Sequence, residues 1–247
     1  MWTYAEYQAV SLFSLRLGEA TATGAKTLLV PTPFAIRTAL LDVAVRIYGV
    51  RTAPDAFKRI RGLSLAIHPP ERVAVTNLFA KVRKPRRNDA GEEEDDQDDT
   101  REAMQPTISF REYAHLHGDI ALAFSGPEEV LAWVEPLLPH VAYLGKRGSF
   151  FQLLTVPERA ETLPPGFVTV GDGEVWGTKV SGSSPGSFPL GVLQLMDDWG
   201  PGLTWEKVNV YTQARIVLGS DRIRKGAILP YRLSSSSRSF SYYERIL

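Results

Sequence analysis

The chain has 247 residues and no cysteine, and its 28 Lys and Arg balance 28 Asp and Glu. This length suits one domain or two small ones, and the lack of cysteine excludes disulfides, thiolate metal sites and thiol nucleophiles. No apolar run approaches the roughly 18 residues of a membrane span, and the N-terminus lacks the basic start and apolar core of a signal peptide. We therefore expect a cytoplasmic protein that does not enter a membrane.

The neutral total charge includes one concentrated acidic run. Residues 89–102 hold nine acids and one base, so the other residues carry 27 bases against 19 acids, a net charge of +8. Seven acids within 92–99 repel one another and lack an apolar anchor, which predicts a disordered acidic insert at 86–105. The positive remainder favours a polyanionic partner, although it also fits a surface that only promotes solubility.

The first predicted elements are a strand and a helix. Partly alternating apolar residues at 7–17 predict a strand with at least one buried face. Thr32 and Pro33 are typical of an N-cap and a first helical position, and apolar residues then recur every three or four positions until Gly49. The pattern therefore predicts a helix that begins at Pro33 and ends before Gly49.

The following segments are short strands and helices. In chain order they are a helix at 54–63, a strand at 64–68, strands at 72–84 and 107–117, a strand at 119–124, a helix that begins near Gly126 and ends at Pro139, and a short strand at 141–144. The strands at 72–84 and 107–117 flank the acidic insert. They predict a long β-hairpin with the insert at its tip.

The order of these elements predicts the fold class. Strand, helix, strands, helix and strand in succession correspond to a ferredoxin-like βαββαβ unit with an inserted β-hairpin. We therefore predict an α+β protein in which residues 1–150 form a ferredoxin-like domain and residues 151–247 form a β-rich C-terminal part. The β-favouring runs of that second part lie at 150–156, 167–170, 190–196 and 207–218.

One tight polar cluster is compatible with catalysis. His115 and His117 are two residues apart on a predicted strand, so both imidazoles lie on one face. Such a pair can cleave RNA without a metal if one imidazole takes the 2′-hydroxyl proton and the other protonates the leaving oxygen. The alternative is a pair of exposed histidines without a chemical role, since no lysine or arginine sits beside them to stabilise the pentavalent phosphate. The common nucleotide-loop, zinc-protease and serine-hydrolase motifs are absent, and we expect no metal and no other cofactor.

Basic residues in loops carry more information. Lys146 and Arg147 lie between Gly145 and Gly148 and are followed by Ser149. A glycine-flanked basic turn allows backbone amides and side chains to approach a phosphate. The two phenylalanines that come next are either stacking platforms for bases or core residues after an ordinary turn.

The last part of the chain combines bases, aromatic rings and hydroxyls. Residues 215–247 hold seven bases and two acids, together with four aromatic residues and four consecutive serines. This composition is typical of a groove for single-stranded nucleic acid.

Five segments of the chain share a recognisable pattern. They are the opening strand that ends in Arg16, the loop with Gly24, Ala25, Lys26 and Thr27, the segment PTPFAIRTALLDVAVRIYG at 31–49, the segment YLGKRGSF at 143–150 and the segment RIRKGAILPYRL at 222–233. Together they resemble the Cas-five family of CRISPR-associated RAMP proteins. The resemblance covers about two thirds of the chain and implies a ferredoxin-like (RRM/RAMP) N-terminal domain with a variable β-rich C-terminal part. The acidic insert has no counterpart in the family pattern.

The resemblance also implies a function. Such a protein is a noncatalytic RNA-binding subunit of a type I CRISPR Cascade surveillance complex, a ribonucleoprotein of antiviral defence, and it caps the 5′ handle of the CRISPR RNA. Its other expected partners are the Cascade backbone and large subunits, and target DNA only through the complex. The predicted hairpin would wedge into the guide RNA, although an acidic tip repels RNA. One branch of the family is itself an endoribonuclease with a Tyr, Lys and His constellation, whereas here Tyr48 ends the first helix without an adjacent Lys–His pair.

These observations select the candidate RNA-binding residues. They are Arg16, Lys26, Thr27, Arg37, Lys146, Arg147, Ser149, Arg222, Arg224 and Lys225, with Tyr231 stacking on a base of the handle. For Arg37, a solvated position on the helix is the alternative. For the whole protein, the alternatives are a metal-independent CRISPR repeat endoribonuclease that uses His115 and His117, and a protein scaffold whose basic surface meets an acidic partner.

Overall fold

The computed structural model describes residues 1–18, 24–85, 104–170, 175–176 and 191–246. The α-helices in these ranges are α1 (Pro33–Tyr48), α2 (Ala53–Arg61), α3 (Glu128–Val134) and α4 (Trp205–Val208). Short 3₁₀ segments follow α1 at Val50–Thr52 and α3 at Glu135–His140. None of the helices in these ranges combines the length and the apolar character that crossing a membrane requires.

Fourteen strands complete the described part of the fold. In chain order they are β1 (Trp2–Ala9), β2 (Gly24–Ala25), β3 (Ser64–His68), β4 (Arg72–Pro85), β5 (Met104–His117), β6 (Ile120–Ser125), β7 (Phe151–Leu153), β8 (Glu158–Ala160), β9 (Val168–Val170), β10 (Val175–Trp176), β11 (Val192–Trp199), β12 (Arg222–Leu229), β13 (Tyr231–Ser236) and β14 (Phe240–Arg245).

The first sheet follows the predicted succession of elements except at its last strand, because the strand predicted at 141–144 is reduced to an isolated bridge at Tyr143 and β7 takes its place. Its strand order is β7-β1-β6-β3-β9, β8 also pairs with β1, and all these pairings are antiparallel. Along the chain, β1 is followed by α1 and α2, then by β3 and β6, and then by α3 and β7, with the hairpin of β4 and β5 inserted between β3 and β6. The predicted α+β class is confirmed, since the described residues combine helices with a larger number of strands whose pairings are mostly antiparallel.

Helix α1 begins and ends where the sequence predicts. The Thr32 side chain accepts a hydrogen bond from the Ala35 N–H at 3.2 Å, and Pro33 occupies the first turn. Gly49 follows the helix with φ of 85°, a left-handed value that a residue with a Cβ rarely adopts. The apolar stripe of the helix belongs to the main buried core.

The first strand differs from its prediction. β1 covers Trp2–Ala9, whereas the predicted strand covered 7–17. Every second side chain of β1 from Thr3 to Tyr7 is fully buried, so the alternation begins earlier than we expected. Residues 10–18, the described residues that follow β1, cross towards the hairpin and form isolated bridges at Phe13 and Arg16.

The predicted hairpin is present. β4 and β5 form fourteen consecutive antiparallel pairs. β5 begins at Met104, two residues inside the insert predicted at 86–105. The remainder of that insert, 86–103, lies outside the described residues.

Two further sheets use strands from the end of the chain. Their orders are β10-β12-β11 and β13-β14-β4-β5-β2. The strand predicted at 207–218 is wrong, because α4 is followed there by an irregular loop. The buried carboxylate of Asp221 accepts hydrogen bonds from the Lys207 ammonium and the Val217 N–H, and these contacts hold the loop closed.

Strands from both sides of residue 150 share sheets. β7 and β8 pair with β1, β9 pairs with β3, and β14 pairs with β4. A single buried core also draws residues from both predicted parts. The division at 150 stays a prediction.

Candidate nucleic-acid interface

The hairpin of β4 and β5 borders an open groove of about 330 Å³. Its lining consists of Lys26, Asn77, Leu78, Phe79, Phe110, Arg111, Glu112 and Arg238. Three cations, two aromatic rings and a single acid thus surround the groove. Cations that follow a phosphate backbone and rings that stack on bases are the two components of a site for single-stranded nucleic acid. We call it the hairpin groove.

The two rings of the hairpin groove face each other across the hairpin. Phe79 and Phe110 form a directly opposed cross-strand pair, with ring centroids 4.1 Å apart and ring planes at 60°. Phe79 is 66% exposed and Phe110 is 45% exposed. Opposed aromatic pairs stabilise a hairpin by roughly 0.2–1 kcal/mol, and their exposed surfaces remain available to a base.

The alternation of β4 explains this exposure. Val73 and Val75 are buried in the core, and the same strand face continues through Asn77 to Phe79, which lies beyond the end of the core. The face of β4 that packs against the core near Val73 is therefore exposed to solvent at Phe79. Large apolar side chains displayed in this way mark an interaction surface.

The acid in the hairpin groove is engaged with the backbone. Glu112 Oε2 accepts a hydrogen bond from the Thr27 N–H at 2.8 Å. Within the described residues, none of the groove cations, Lys26, Arg111 and Arg238, forms an ion pair. A phosphate that enters the groove therefore meets cations that it need not separate from carboxylates.

A second basic cluster lies where the loop after β1 approaches β12. Arg16, Arg222 and Arg224 line one small cleft together with Asp197. Gly18 packs against the Arg224 guanidinium, so closely that a Cβ would lie 2.5 Å from Arg224 Nε. The sequence prediction therefore selected three arginines that the fold brings together.

The members of this cluster differ in their freedom to bind a phosphate. Arg222 forms an ion pair with Asp197, and its guanidinium lies 4.5 Å from the centre of the Phe34 ring. Arg224 is exposed on the same face of β12, whereas Lys225 is half-buried on the other face, as the strand alternation requires. Of the three positions predicted on β12, Arg224 is thus the most accessible.

The glycine-flanked turn has the predicted geometry. Gly145 and Gly148 have φ of 82° and 102°, and the Lys146 and Arg147 side chains are exposed between them. Ser149 differs from its prediction, because its side chain is buried. Its hydroxyl accepts a hydrogen bond from the Ser14 N–H, in the segment between β1 and α1, at 3.2 Å. The basic pair is available to a ligand, whereas the serine stabilises the turn.

Three predicted RNA contacts lie inside the protein. Arg37 is 6% exposed and forms an ion pair with Asp198, so it is neither a phosphate contact nor a solvated helix position in this structure. Tyr231 is 1% exposed, its hydroxyl donates to the Pro70 carbonyl at 2.6 Å, and burial raises its pKa. Thr27 is buried, with its hydroxyl bonded to the backbone of the adjoining loop. The sequence shows that these residues are basic, aromatic or hydroxylic, but it does not show that they are buried.

The two histidines lie on the outer face of the third sheet. His115 and His117 are exposed on β5, and their cross-strand partners on β4 are Ala74 and Arg72. Arg72 Nη2 contacts His117 Nε2. The expectation that no arginine sits beside the pair is therefore wrong, because β4 supplies one from 45 positions earlier in the chain.

Sequence reasoning missed Phe79, Phe110, Arg111 and Arg238 as members of one groove. The two β-rich runs that contain the first three were recognised, but their pairing register was not. A register count from the predicted hairpin would have placed the two phenylalanines opposite each other. Among the described residues, no group of three or more His, Asp or Glu is placed to hold a metal ion.

Comparison with solved structures found chains with limited likeness to this one. A CRISPR protein from Archaeoglobus fulgidus has 11% identity and a TM-score of 0.45, with 99% of this chain and 92% of that chain covered. A chain of the type III-B Cmr-beta complex bound to cognate target RNA has 11% identity and a TM-score of 0.42, covering 64% and 59%. A chain of a CRISPR RNA-guided surveillance complex has 18% identity and a TM-score of 0.37, covering 60% and 58%. Likenesses of this size assign no function.

Comparison of sequences identifies a relative. No protein-family model matches the chain. The CRISPR-associated protein Cas5 of Archaeoglobus fulgidus is 26% identical over 130 residues, which are 52% of this chain and 53% of the relative. The chain thus spans about half the length of the curated relative that it matches. Over this region the chain is similar in sequence to CRISPR-associated protein Cas5.

Proposed function

We propose that the chain is a noncatalytic RNA-binding subunit of a CRISPR surveillance ribonucleoprotein and that it holds the 5′ handle of the CRISPR RNA. The observation that carries the proposal is the hairpin groove, where three cations without ion pairs among the described residues lie beside an exposed aromatic pair. The relation to Cas5 supports the same class of partner.

The groove chemistry fits a single strand better than a duplex. An exposed ring can stack on an unpaired base, and stacking of this kind contributes about 1–3 kcal/mol per base. The bases of a duplex are already stacked on one another, so the rings would find no free base face. The cations supply phosphate contacts that do not depend on sequence.

The finer parts of the proposal follow from the family resemblance. In our proposal the first sheet with its helices is a ferredoxin-like RAMP domain, and the complex is a type I Cascade in the cytoplasm. The other partners are the backbone and large subunits, with target DNA reached only through the complex. The exposed Lys146 and Arg147, together with Arg16 and Arg224, extend the phosphate-binding surface beyond the hairpin groove.

The proposal is tested by binding of a labelled repeat-derived RNA to the purified chain, in EDTA and over a salt series. We expect salt-dependent binding that leaves the RNA whole. Lys26→Gln and Arg111→Gln should each weaken binding and lower the salt dependence, and Phe79→Ala should weaken binding without changing the salt dependence. Lys58→Gln, an exposed lysine on α2, is the matched control. Affinity that is unchanged in all the groove variants contradicts the proposal.

A metal-independent endoribonuclease is the second candidate, and the contact between Arg72 and His117 favours it. The arrangement places a guanidinium, which can stabilise a pentavalent phosphate, beside two imidazoles that can transfer protons. The same EDTA experiment separates the two functions. Specific cleavage that disappears in His115→Ala and His117→Ala would establish the nuclease, whereas intact RNA with wild-type protein would exclude it.

A further inference from the structure

An apolar surface lies on the side of the protein formed by α1 and the loop at 209–220. Tyr211 is 91% exposed and Val210 is 86% exposed, more than any other large apolar side chain of the described residues. Val50, just after α1, is also exposed. Large apolar side chains this open to water indicate a surface that another molecule covers.

The loop that displays these side chains is held by specific contacts. The Asn209 side chain accepts a hydrogen bond from the Tyr211 N–H at 3.1 Å, and the Thr212 hydroxyl donates to the Asn209 carbonyl at 2.9 Å. At the far end, Asp221 accepts from Val217 and Lys207. A loop anchored at both ends loses little further conformational entropy when it binds, which favours association.

The exposed side chains line one wall of a groove of about 210 Å³. The opposite wall comes from Leu41 and Val45 of α1, and Trp205 of α4 also contributes to the lining. The single charged residue of the lining is Asp42, whose carboxylate pairs with Arg46 at 3.0 Å. We call this feature the α1 groove.

The lining of the α1 groove favours an apolar protein side chain over RNA. No cation lines the groove, and its single charge is negative, so a phosphate inside it would find no partner in the lining. An apolar side chain from another protein would instead remove Val210 and Tyr211, and the exposed parts of Val45 and Trp205, from solvent. A concave apolar site of this kind is the usual receptor for an anchoring side chain at a protein interface.

The charges near the α1 groove indicate the chemistry of the partner. Arg51 follows Val50 directly, and Arg215 belongs to the same loop as Tyr211. Both are exposed, and neither forms an ion pair within the part of the chain that the structure describes. Basic residues beside an apolar groove complement acidic residues that flank an apolar anchor.

We propose that the α1 groove docks a neighbouring protein subunit of the same ribonucleoprotein, through an aromatic or branched aliphatic side chain flanked by acidic residues. This inference rests on the proposed function, because it places the chain in a complex with other proteins. The docking surface and the hairpin groove use different residues. Protein assembly and RNA binding can therefore be disrupted separately.

The experiment reconstitutes the complex from the full-length chain, the purified backbone and large subunits of its own complex, and the guide RNA. The variants are Val210→Glu, Tyr211→Glu and Arg51→Glu. Val156→Glu introduces the same charge at another strongly exposed apolar position and is the matched control. Thermal unfolding and RNA affinity of the isolated chain are measured for every variant, and incorporation is measured by native mass spectrometry.

We expect the three variants to weaken incorporation by at least about tenfold and the control to leave it unchanged. The affinity of the isolated chain for RNA should be the same in all of them. Unchanged incorporation of the Val210 and Tyr211 variants would overturn the docking site and leave the proposed function intact. Loss of a homodimer in these variants would assign the groove to a second copy and also overturn it. A wild-type chain that binds no RNA and enters no complex would refute the proposed function itself.

Discussion

Arg37 provides the strongest test of the distinction between buried and RNA-binding cations. Its Nε donates to Asp198 Oδ1 at 2.8 Å, Nη1 donates to the Ile60 carbonyl at 2.6 Å, and Nη2 donates to the Leu63 carbonyl at 3.0 Å. The guanidinium thus joins α1 to the end of α2 and to β11. We predict that Arg37→Ala destabilises the protein and leaves the RNA affinity of the folded fraction unchanged.

The magnitude follows from what the substitution leaves behind. Asp198 is 5% exposed, and without Arg37 the one donor that it keeps among the described residues is the Trp199 N–H, at 2.7 Å. A buried charge without its partner costs about 3–5 kcal/mol, a large part of the roughly 5–15 kcal/mol by which a domain is stable. We therefore expect the free energy of unfolding to fall by about 3–5 kcal/mol.

Urea unfolding measures this change, and two further variants separate its causes. Asp198→Asn keeps the shape of the side chain and should lower the free energy of unfolding by less than Arg37→Ala does, because the amide oxygen can still accept a hydrogen bond from the guanidinium. The double variant Arg37→Met with Asp198→Leu removes both charges and should be much less destabilising than Arg37→Ala, since burying no charge avoids the desolvation cost. An Arg37→Ala protein that retained full stability but lost RNA affinity would refute the buried role.

Two other predictions concern stability. Burial, and to a smaller extent the neighbouring Arg245, lowers the pKa of His68 from 6.5 to about 4. As the pH falls through this window, the unfolded chain takes up the proton before the folded one does, so the free energy of unfolding should decrease, and His68→Gln should flatten this dependence in urea unfolding. At Asp221, hydrogen bonds from Lys207 and from the Val217 backbone lower the pKa of the carboxyl. Asp221→Asn should destabilise the protein by about 1–3 kcal/mol and accelerate amide hydrogen exchange at Val217, whereas exchange at the wild-type rate would show that the carboxylate does not hold the loop.

Local patterns predicted the elements whose signals are local. Thr32, Pro33 and Gly49 determine the ends of α1 through their own backbone preferences, and the structure confirms them. The hairpin was predicted because two β-favouring runs flank the acidic segment. The strand predicted at 207–218 failed because the contacts that hold the loop come from Asp221, which lies outside the segment.

The candidate site was predicted less well, because residue type does not reveal burial. Arg37 and Tyr231 have the composition of RNA contacts, but the partners that bury them, Asp198 and Pro70, are each 161 positions away in the sequence. A contact between distant positions likewise placed Arg72 beside His117, which lies 45 positions later in the chain. Phe79 and Phe110 required a pairing register, which the sequence suggests only once the hairpin is accepted.

The corrected set of cations changes the expected salt dependence of RNA binding. Arg37 and Arg222 are paired with buried aspartates, and Lys225 lies on the opposite face of β12 from Arg224 and is engaged within the protein, so none of the three should release counterions from RNA. The cations that reach solvent at the candidate surfaces are Arg16, Lys26, Arg111, Lys146, Arg147, Arg224 and Arg238. At about 0.7 per contact with a single strand, these seven set an upper limit of about 5 on the slope of log affinity against log salt. A steeper slope, or a slope that decreases in Arg222→Gln, would show that the paired arginines exchange their aspartates for phosphates when RNA binds.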